Sequence, residues 1–380
     1  MTSTNDLYIE IPDSQQEDED DLSSDVSFKD AIVMNTDWTI DTLNNQIVKK
    51  NIDLEPGFQR RSAWDETRKS KLIESMIVGI PVPSIVLAEN KEKKGRFIVI
   101  DGKQRLLSIN DFFSNKFPLR KLEMRNDLNG LTYSNLPEQD REYLDNNTFR
   151  STLIRNWRDE DFLYAIFYRL NSGSLPLSPQ ELRKSLIGSK LLNRIESYLI
   201  ESKEFKALFG DKLDKRMRDS ELILRYLSYD ISLDKYAGSL KGFLDNVVLT
   251  FENNWEDMKE IADISLQRLN IAFSTAEKIF GKDSFKKWTE EGKYERTINR
   301  AIFDSIIRFF SQEELHEKYI DNSKAIIESF KAVCLDSKFK EAVEKTTKTK
   351  IAVDNRLDIW GEELAKTISA HYDKNSRRIL

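Results

Sequence analysis

A single cysteine, Cys334, in 380 residues excludes a disulfide framework and any zinc site built on cysteine. Two histidines, His316 and His371, leave little for histidine-centred metal chemistry. No stretch approaches the roughly 20 apolar residues that a spanning helix needs, and the first residues show no basic segment followed by an apolar run. The chain is therefore expected in the reducing cytoplasm, with no membrane partner. Apolar residues are scarce at 39% and charged ones abundant at 33%, which points to a helix-rich, heavily solvated fold. The length exceeds one average domain.

Charge is distributed unevenly. Residues 1–30 hold ten acids and one base, Lys29, so the rest of the chain has 58 bases against 55 acids and the net −6 belongs to the leader. Poor in core-forming residues, residues 1–35 read as an acidic, disordered leader.

From residue 52 to 115 the local signals change quickly. Asp65 can cap a helix over about 66–79 on which Leu72, Ile73, Met76 and Ile77 share a face, with Gly79 ending it. Gly79-Ile80-Pro81-Val82-Pro83 forces an extended path into a strand at 84–87, and a charged turn then leads to a second strand at 97–100, giving a hairpin. A turn at Asp101-Gly102 opens a helix whose buried side carries Leu106, Ile109 and Phe113. Residues 116–148 are polar and turn-rich, as in a lid or inserted loop. Beyond 160 the pattern is helical, over 161–171, 179–187, 191–202 and 219–233, with linkers at 173–176 and 238–242. The expected fold class is α+β, a mixed α/β domain over 36–175 followed by a mostly α-helical domain over 176–380.

The segment Ile100-Asp101-Gly102-Lys103-Gln104-Arg105 places a carboxylate, a glycine and two cations where a helix begins. Backbone N–H groups and the positive end of the helix dipole point outward at such a start, so cations there oppose the dipole and an anion, most naturally a phosphate, suits it. The plainer alternative is that both cations face water, or that Arg105 pairs with Asp101. Gln59-Arg60-Arg61, in an extended stretch, offers a guanidinium able to clamp phosphate from the other side.

These segments, with Trp64, resemble the N-terminal domain of GmrSD-type restriction endonucleases, a ParB/sulfiredoxin-like family of bacterial defence against phage DNA. Phe167 to Gly173, Pro176-Leu177-Ser178 with Glu181-Leu182, and Arg216-Met217-Arg218-Asp219 with Glu221 and Arg225 extend the resemblance over roughly 38–250. It implies a nucleoside triphosphate bound, and hydrolysed with Mg²⁺, at a loop of Asp-Gly-Gln-Gln-Arg type. Lys103 stands here in place of the first glutamine, which adds positive charge and leaves efficient hydrolysis open.

Carried over by position, Asp101 would hold the metal or polarise water, Arg105 would neutralise transferring charge, and Gln104 would complete the catalytic group. Gly102 and Lys103 would cradle phosphate, Gln59 and Arg60 would close the pocket, and Asn171 would contact its rim. The implied partners are the nucleotide, DNA, and a separate nuclease or defence subunit. Two other functions compete. One is a Mg²⁺ nuclease using Asp101 and Lys103 with Glu89 as second ligand; the other is a non-catalytic ParB-like DNA-binding module using basic clusters at 155–158 and 212–218. His316 and His371, 55 residues apart, do not form the pair that a C-terminal HNH nuclease requires. Trp157, Phe162, Phe167 and Tyr168 read as helix-packing core, and Cys334 as a buried small hydrophobe.

A solvated leader and a leader that mimics a polyanion over a basic site differ in one measurement. Removing residues 1–30 is expected to leave nucleotide and nucleic-acid affinity unchanged in a binding titration; a gain in affinity would assign the leader to a basic surface of the body.

Overall fold

Short strands that are apolar at successive positions need both faces covered, and helices with apolar residues three and four apart need one; the chain supplies both kinds in turn. The computed structural model describes residues 31–54, 64–91, 93–157, 162–163, 166, 178–187, 189–214, 216–345 and 347–380. The leader at 1–30, Gln59 and Arg60, and Asn171 with its flanking turn lie outside the described residues. Two compact units divide between Leu186 and Ile187. Among the described residues no helix is long and apolar enough to cross a membrane.

The N-terminal unit is built on strands β1 (Ile32–Thr39), β2 (Ile52–Asp53), β3 (Ile85–Glu89), β4 (Phe97–Asp101) and β5 (Thr148–Arg155), in the order β1-β5-β3-β4-β2. β1 with β5 and β3 with β4 are antiparallel, whereas β3 with β5 and β2 with β4 are parallel. Helices α1 (Ile40–Val48), α2 (Glu66–Ile77), α3 (Lys103–Phe113) and α4 (Glu138–Asn146) complete it.

Strand alternation divides the apolar side chains. Leu87, Val99, Phe149 and Leu153 join the helix residues Ile73, Met76, Leu106, Ile109 and Phe112 in one core. Val86, Ala88, Ile98, Ile100 and Ile154 form a second cluster with Trp157, Phe162 and Leu163.

The sequence expectations hold for the hairpin and for α2, whose cap Asp65 accepts from the Arg68 amide at 2.8 Å. In α3 it is Phe112 that is fully buried, while Phe113 stacks on Tyr133 with ring centroids 4.3 Å apart. Trp157 is core as expected, but it follows β5 rather than lying on a helix.

The polar segment after α3 is not a lid. Phe117, Leu119, Leu122, Leu128 and Leu136 are buried in the first core, and α4 follows. Its polarity reflects how it is fastened. The Glu74 carboxylate, 3% exposed, accepts the amides of Met124 (2.7 Å), Arg125 (2.8 Å) and Glu123 (3.2 Å), and Ser70 Oγ accepts that of Arg120 (3.0 Å).

The second unit is helical: α5 (Pro179–Ile187) ends at the boundary, and α6 (Lys190–Glu201), α7 (Lys203–Phe209), α8 (Arg218–Ser232), α9 (Leu240–Asn253), α10 (Trp255–Phe280), α11 (Arg300–Phe310), α12 (His316–Asp321), α13 (Ser323–Leu335), α14 (Ser337–Glu344) and α15 (Lys350–Thr367) follow. The expected linker at 238–242 is shorter, because Ser239 caps α9 and Gly242 lies in its first turn. A short hairpin, β6 (Tyr372–Asp373) with β7 (Arg378–Ile379), ends the chain. The core is aromatic, with Phe205, Phe209, Phe273, Phe285 and Phe303 in mutual contact. Burial pushes the Cys334 thiol up to about 12, which makes it an inert core residue.

Glu74 yields a pH prediction with a defined sign. Burial alone would push its carboxyl up, but three amide donors outweigh this and hold it below the ordinary 4.5. Its contribution is present above that value and is lost as pH falls through the lower folded value. Glu74→Gln is expected to cost about 2 kcal/mol in urea unfolding at neutral pH, and the gap from the parent chain should narrow on acidification.

Candidate active site

β4 ends at Asp101 with an irregularity. Val86 pairs with Asp101 but Leu87 with Val99, so β4 carries one extra residue, Ile100, just before the site. Such a bulge bends the strand and re-aims the side chain that follows it.

Gly102 then takes φ +95 and serves as the N-cap of α3. A Cβ at this position would meet Ile85 Cγ2 at 2.3 Å and Ile85 Cβ at 2.9 Å. Glycine is thus required twice, by the left-handed backbone and by the β3 side chain beneath it. Ile85 occupies the space on that face, so a ligand has access to the turn only from elsewhere. Gly102 supplies no side-chain cap, and the first turn of α3 contains no acid.

Arg105 is buried. Its Nη2 donates to Asp101 Oδ2 at 2.7 Å and to the Ser84 carbonyl at 3.1 Å, joining the end of β4 to the residue before β3. The pairing with Asp101, the plainer alternative for this arginine, is therefore formed. Arg105 Nε is buried without a hydrogen-bond partner. Asp101 itself is half-buried, and among the described residues only its Oδ2 is engaged. Lys103 is buried, at 8% exposure, rather than extended into water.

Gln104 Oε1 accepts the Trp64 amide at 3.3 Å, while its backbone carbonyl accepts Ser108 Oγ at 2.7 Å. This links α3 to the residue that leads into α2. The Arg68 guanidinium lies 5.4 Å from the centre of the Trp64 ring. Asp101, Gly102, Lys103, Gln104 and Arg105 are thus gathered at one strand-to-helix junction, and Gln59, Arg60 and Asn171 fall outside the described residues.

Ser84, Ile85 and Trp64 complete this junction and were not among the expected site residues. The Gly79-to-Pro83 path into β3 was the available clue to the first two; nothing in the sequence marks the Trp64–Gln104 bond.

Glu89 does not join Asp101. It pairs with Phe97 at the far end of the β3–β4 ladder, where its carboxylate accepts the Gly95 amide at 3.2 Å and lies 3.7 Å from Arg155. Among the described residues no group of three or more histidines, cysteines or acids is placed to hold a metal. His316 is bonded to Thr275 at 2.6 Å at the start of α12, and His371 pairs by its backbone with Leu380. In the basic clusters, Arg218 is paired with Asp214 at 2.7 Å and Arg155 with Glu89, so these cations have acidic neighbours.

Residues 41–188 match the family model of the GmrSD restriction endonuclease, N-terminal domain. The matched segment begins in α1, contains the whole Asp101–Arg105 junction, and runs to residue 188, just past the boundary between the two units after Leu186. No curated protein and no solved structure matched the chain.

The two requirements on Gly102 separate experimentally. Gly102→Ala is expected to cost about 3 kcal/mol, from left-handed strain and overpacking together. Combining it with Ile85→Ala should cost clearly less than the sum of the single variants in a urea-unfolding double-mutant cycle.

Proposed function

We propose that the GmrSD-type domain binds a nucleoside triphosphate and hydrolyses it with Mg²⁺ as part of an anti-phage or restriction-type system. The observation that carries this reading is the Asp101 carboxylate, held through Oδ2 by a buried arginine at an acid-free helix start, with no partner for Oδ1 among the described residues. A carboxylate so presented suits Mg²⁺, which is commonly held by one or two carboxylates together with substrate phosphates. When bound, Mg²⁺ would supply neutralisation of phosphate charge.

The chain's own residues divide the work. Asp101 would hold the cation or orient water through Oδ1. Arg105, committed to Asp101 Oδ2 and Ser84, positions that carboxylate rather than clamping phosphate. Gln104 fixes the approach of Trp64. Lys103, Gln59, Arg60 and Asn171 are assigned to the phosphates and the rim by the family pattern. Water attacks the terminal phosphorus, the bond to the bridging oxygen breaks, and a nucleoside diphosphate and inorganic phosphate leave; this chemistry depends chiefly on positioning and electrostatics. The separation of Glu89 from Asp101 removes the paired-carboxylate support for the nuclease alternative.

A panel of nucleoside triphosphates with Mg²⁺, scored for phosphate release in the presence of supercoiled plasmid, tests the reading. Phosphate release without nicking is expected, falling about 100-fold in Asp101→Asn, which keeps an oxygen acceptor for Arg105. Nicking without nucleotide would favour the nuclease, and no reaction of either kind would favour a binding module.

A further inference from the structure

β1 is an edge strand of eight residues that pairs only with β5, so its outer row of backbone donors and acceptors is open among the described residues. Edge strands are usually blunted by lysine, proline, bulges or short length. None of these is present in Ile32-Val33-Met34-Asn35-Thr36-Asp37-Trp38-Thr39, whose register with β5 is unbroken. Ile32, Val33 and Met34 are 50%, 59% and 40% exposed. Its one charge, Asp37, already faces Arg150 of β5 at 3.4 Å.

We propose that β1 pairs antiparallel with β1 of a second copy, making one continuous sheet across a two-fold axis. The backbone groups facing outward belong to alternate residues, so a symmetric pair can join only residues whose numbers sum to an even value. Two such registers keep the strand within the ladder. One places Asn35 opposite Asn35, with Trp38 opposite Ile32 and Asp37 opposite Val33 of the second copy. The other places Thr36 opposite Thr36, with Trp38 opposite Met34 and Asp37 opposite Asn35. In both, Trp38 meets an exposed apolar side chain and Asp37 never meets its own copy, so each favourable cross-strand pair forms without like-charge repulsion.

The acidic leader selects the orientation. Residues 1–30, with ten acids and one base, enter β1 at Ala31. Antiparallel pairing puts the two Ala31 residues, to which the leaders are joined, at opposite ends of the ladder, about 25 Å apart at roughly 3.4 Å per residue. That exceeds the screening length of about 8 Å at physiological salt. A parallel copy, or an acidic peptide laid on this edge beside the leader, would bring like charges together.

The test uses the full chain in sedimentation equilibrium over a wide concentration range. The parent chain is expected to be a dimer that dissociates on dilution. Asn35→Lys with Thr36→Lys places lysines face to face at the axis in either register and should give a monomer, as should Asn35→Glu with Thr36→Glu. An equal mixture of the two double variants should restore the dimer, which mere misfolding could not do. In the parent chain, amide exchange over residues 32–39 should slow as concentration rises. A parent chain that is monomeric throughout, a dimer indifferent to the lysine pair, a mixture that stays monomeric, or exchange independent of concentration would each overturn the proposal.

Discussion

The junction between β4 and α3 rests on one steric fact, the seating of Gly102 against Ile85. With φ +95 and a phantom Cβ 2.3 Å from Ile85 Cγ2, no other residue fits without moving β3 or the start of the helix. That contact fixes where α3 leaves the sheet, and with it the height at which Arg105 passes the end of β4. The guanidinium then reaches Asp101 and the Ser84 carbonyl together. Close packing at the glycine and charge pairing at the arginine are two consequences of the same chain path.

Away from this junction the two units solve the burial of charge differently. In the N-terminal unit Glu74 is buried on backbone amides, so one carboxylate fastens an irregular segment that has no helix or strand of its own to satisfy it. In the helical unit the buried charges are paired with one another. Arg300 binds Glu221 at 2.7 Å, while Arg225 and Arg356 share Asp304. These residues join α8, α11 and α15. Ion pairs as dry as these add little net stability over apolar packing, but removing one partner leaves an uncompensated charge. The Arg216-to-Arg225 segment therefore has a structural task in holding three helices in register, whatever else the family resemblance assigns to it.

Local signals made the helices around the site legible. Asp65 as a cap, Gly79 as a stop and the period of Leu72, Ile73, Met76 and Ile77 are all encoded within one helix length, and α2 follows them. α5 agrees residue for residue with the expected 179–187. What escaped was non-local. β1, α1 and β5 had no assigned element, because β1 is largely exposed and its pairing with β5 joins residues more than a hundred positions apart. The loop-like composition of the segment after α3 conceals its burial, since its polar groups answer to Glu74 and Ser70 on another helix. At the junction, the motif residues stand together, but their contacts could not be read from the motif. Nothing local to Arg105 reveals that a carbonyl on the neighbouring strand will occupy it, and nothing local to Glu89 reveals that the antiparallel ladder carries it away from Asp101.

The bulge at Ile100 connects sheet register to site chemistry. In an unbroken ladder Asp101 would stand opposite Ile85, the residue that closes under Gly102; the extra residue moves it opposite Val86. Because alternate residues point to opposite faces, a shift of one position changes which side of the sheet a side chain addresses. The apolar alternation of β4 up to Ile100 serves the two cores, and the bulge ends that alternation just where a carboxylate must leave it. Asp101 is then half-buried, close enough to the interior for Arg105 to hold one oxygen and close enough to the surface to stay partly exposed. The orientation of the carboxylate is in this sense a property of strand pairing, and Arg105 secures an orientation that the backbone has already imposed.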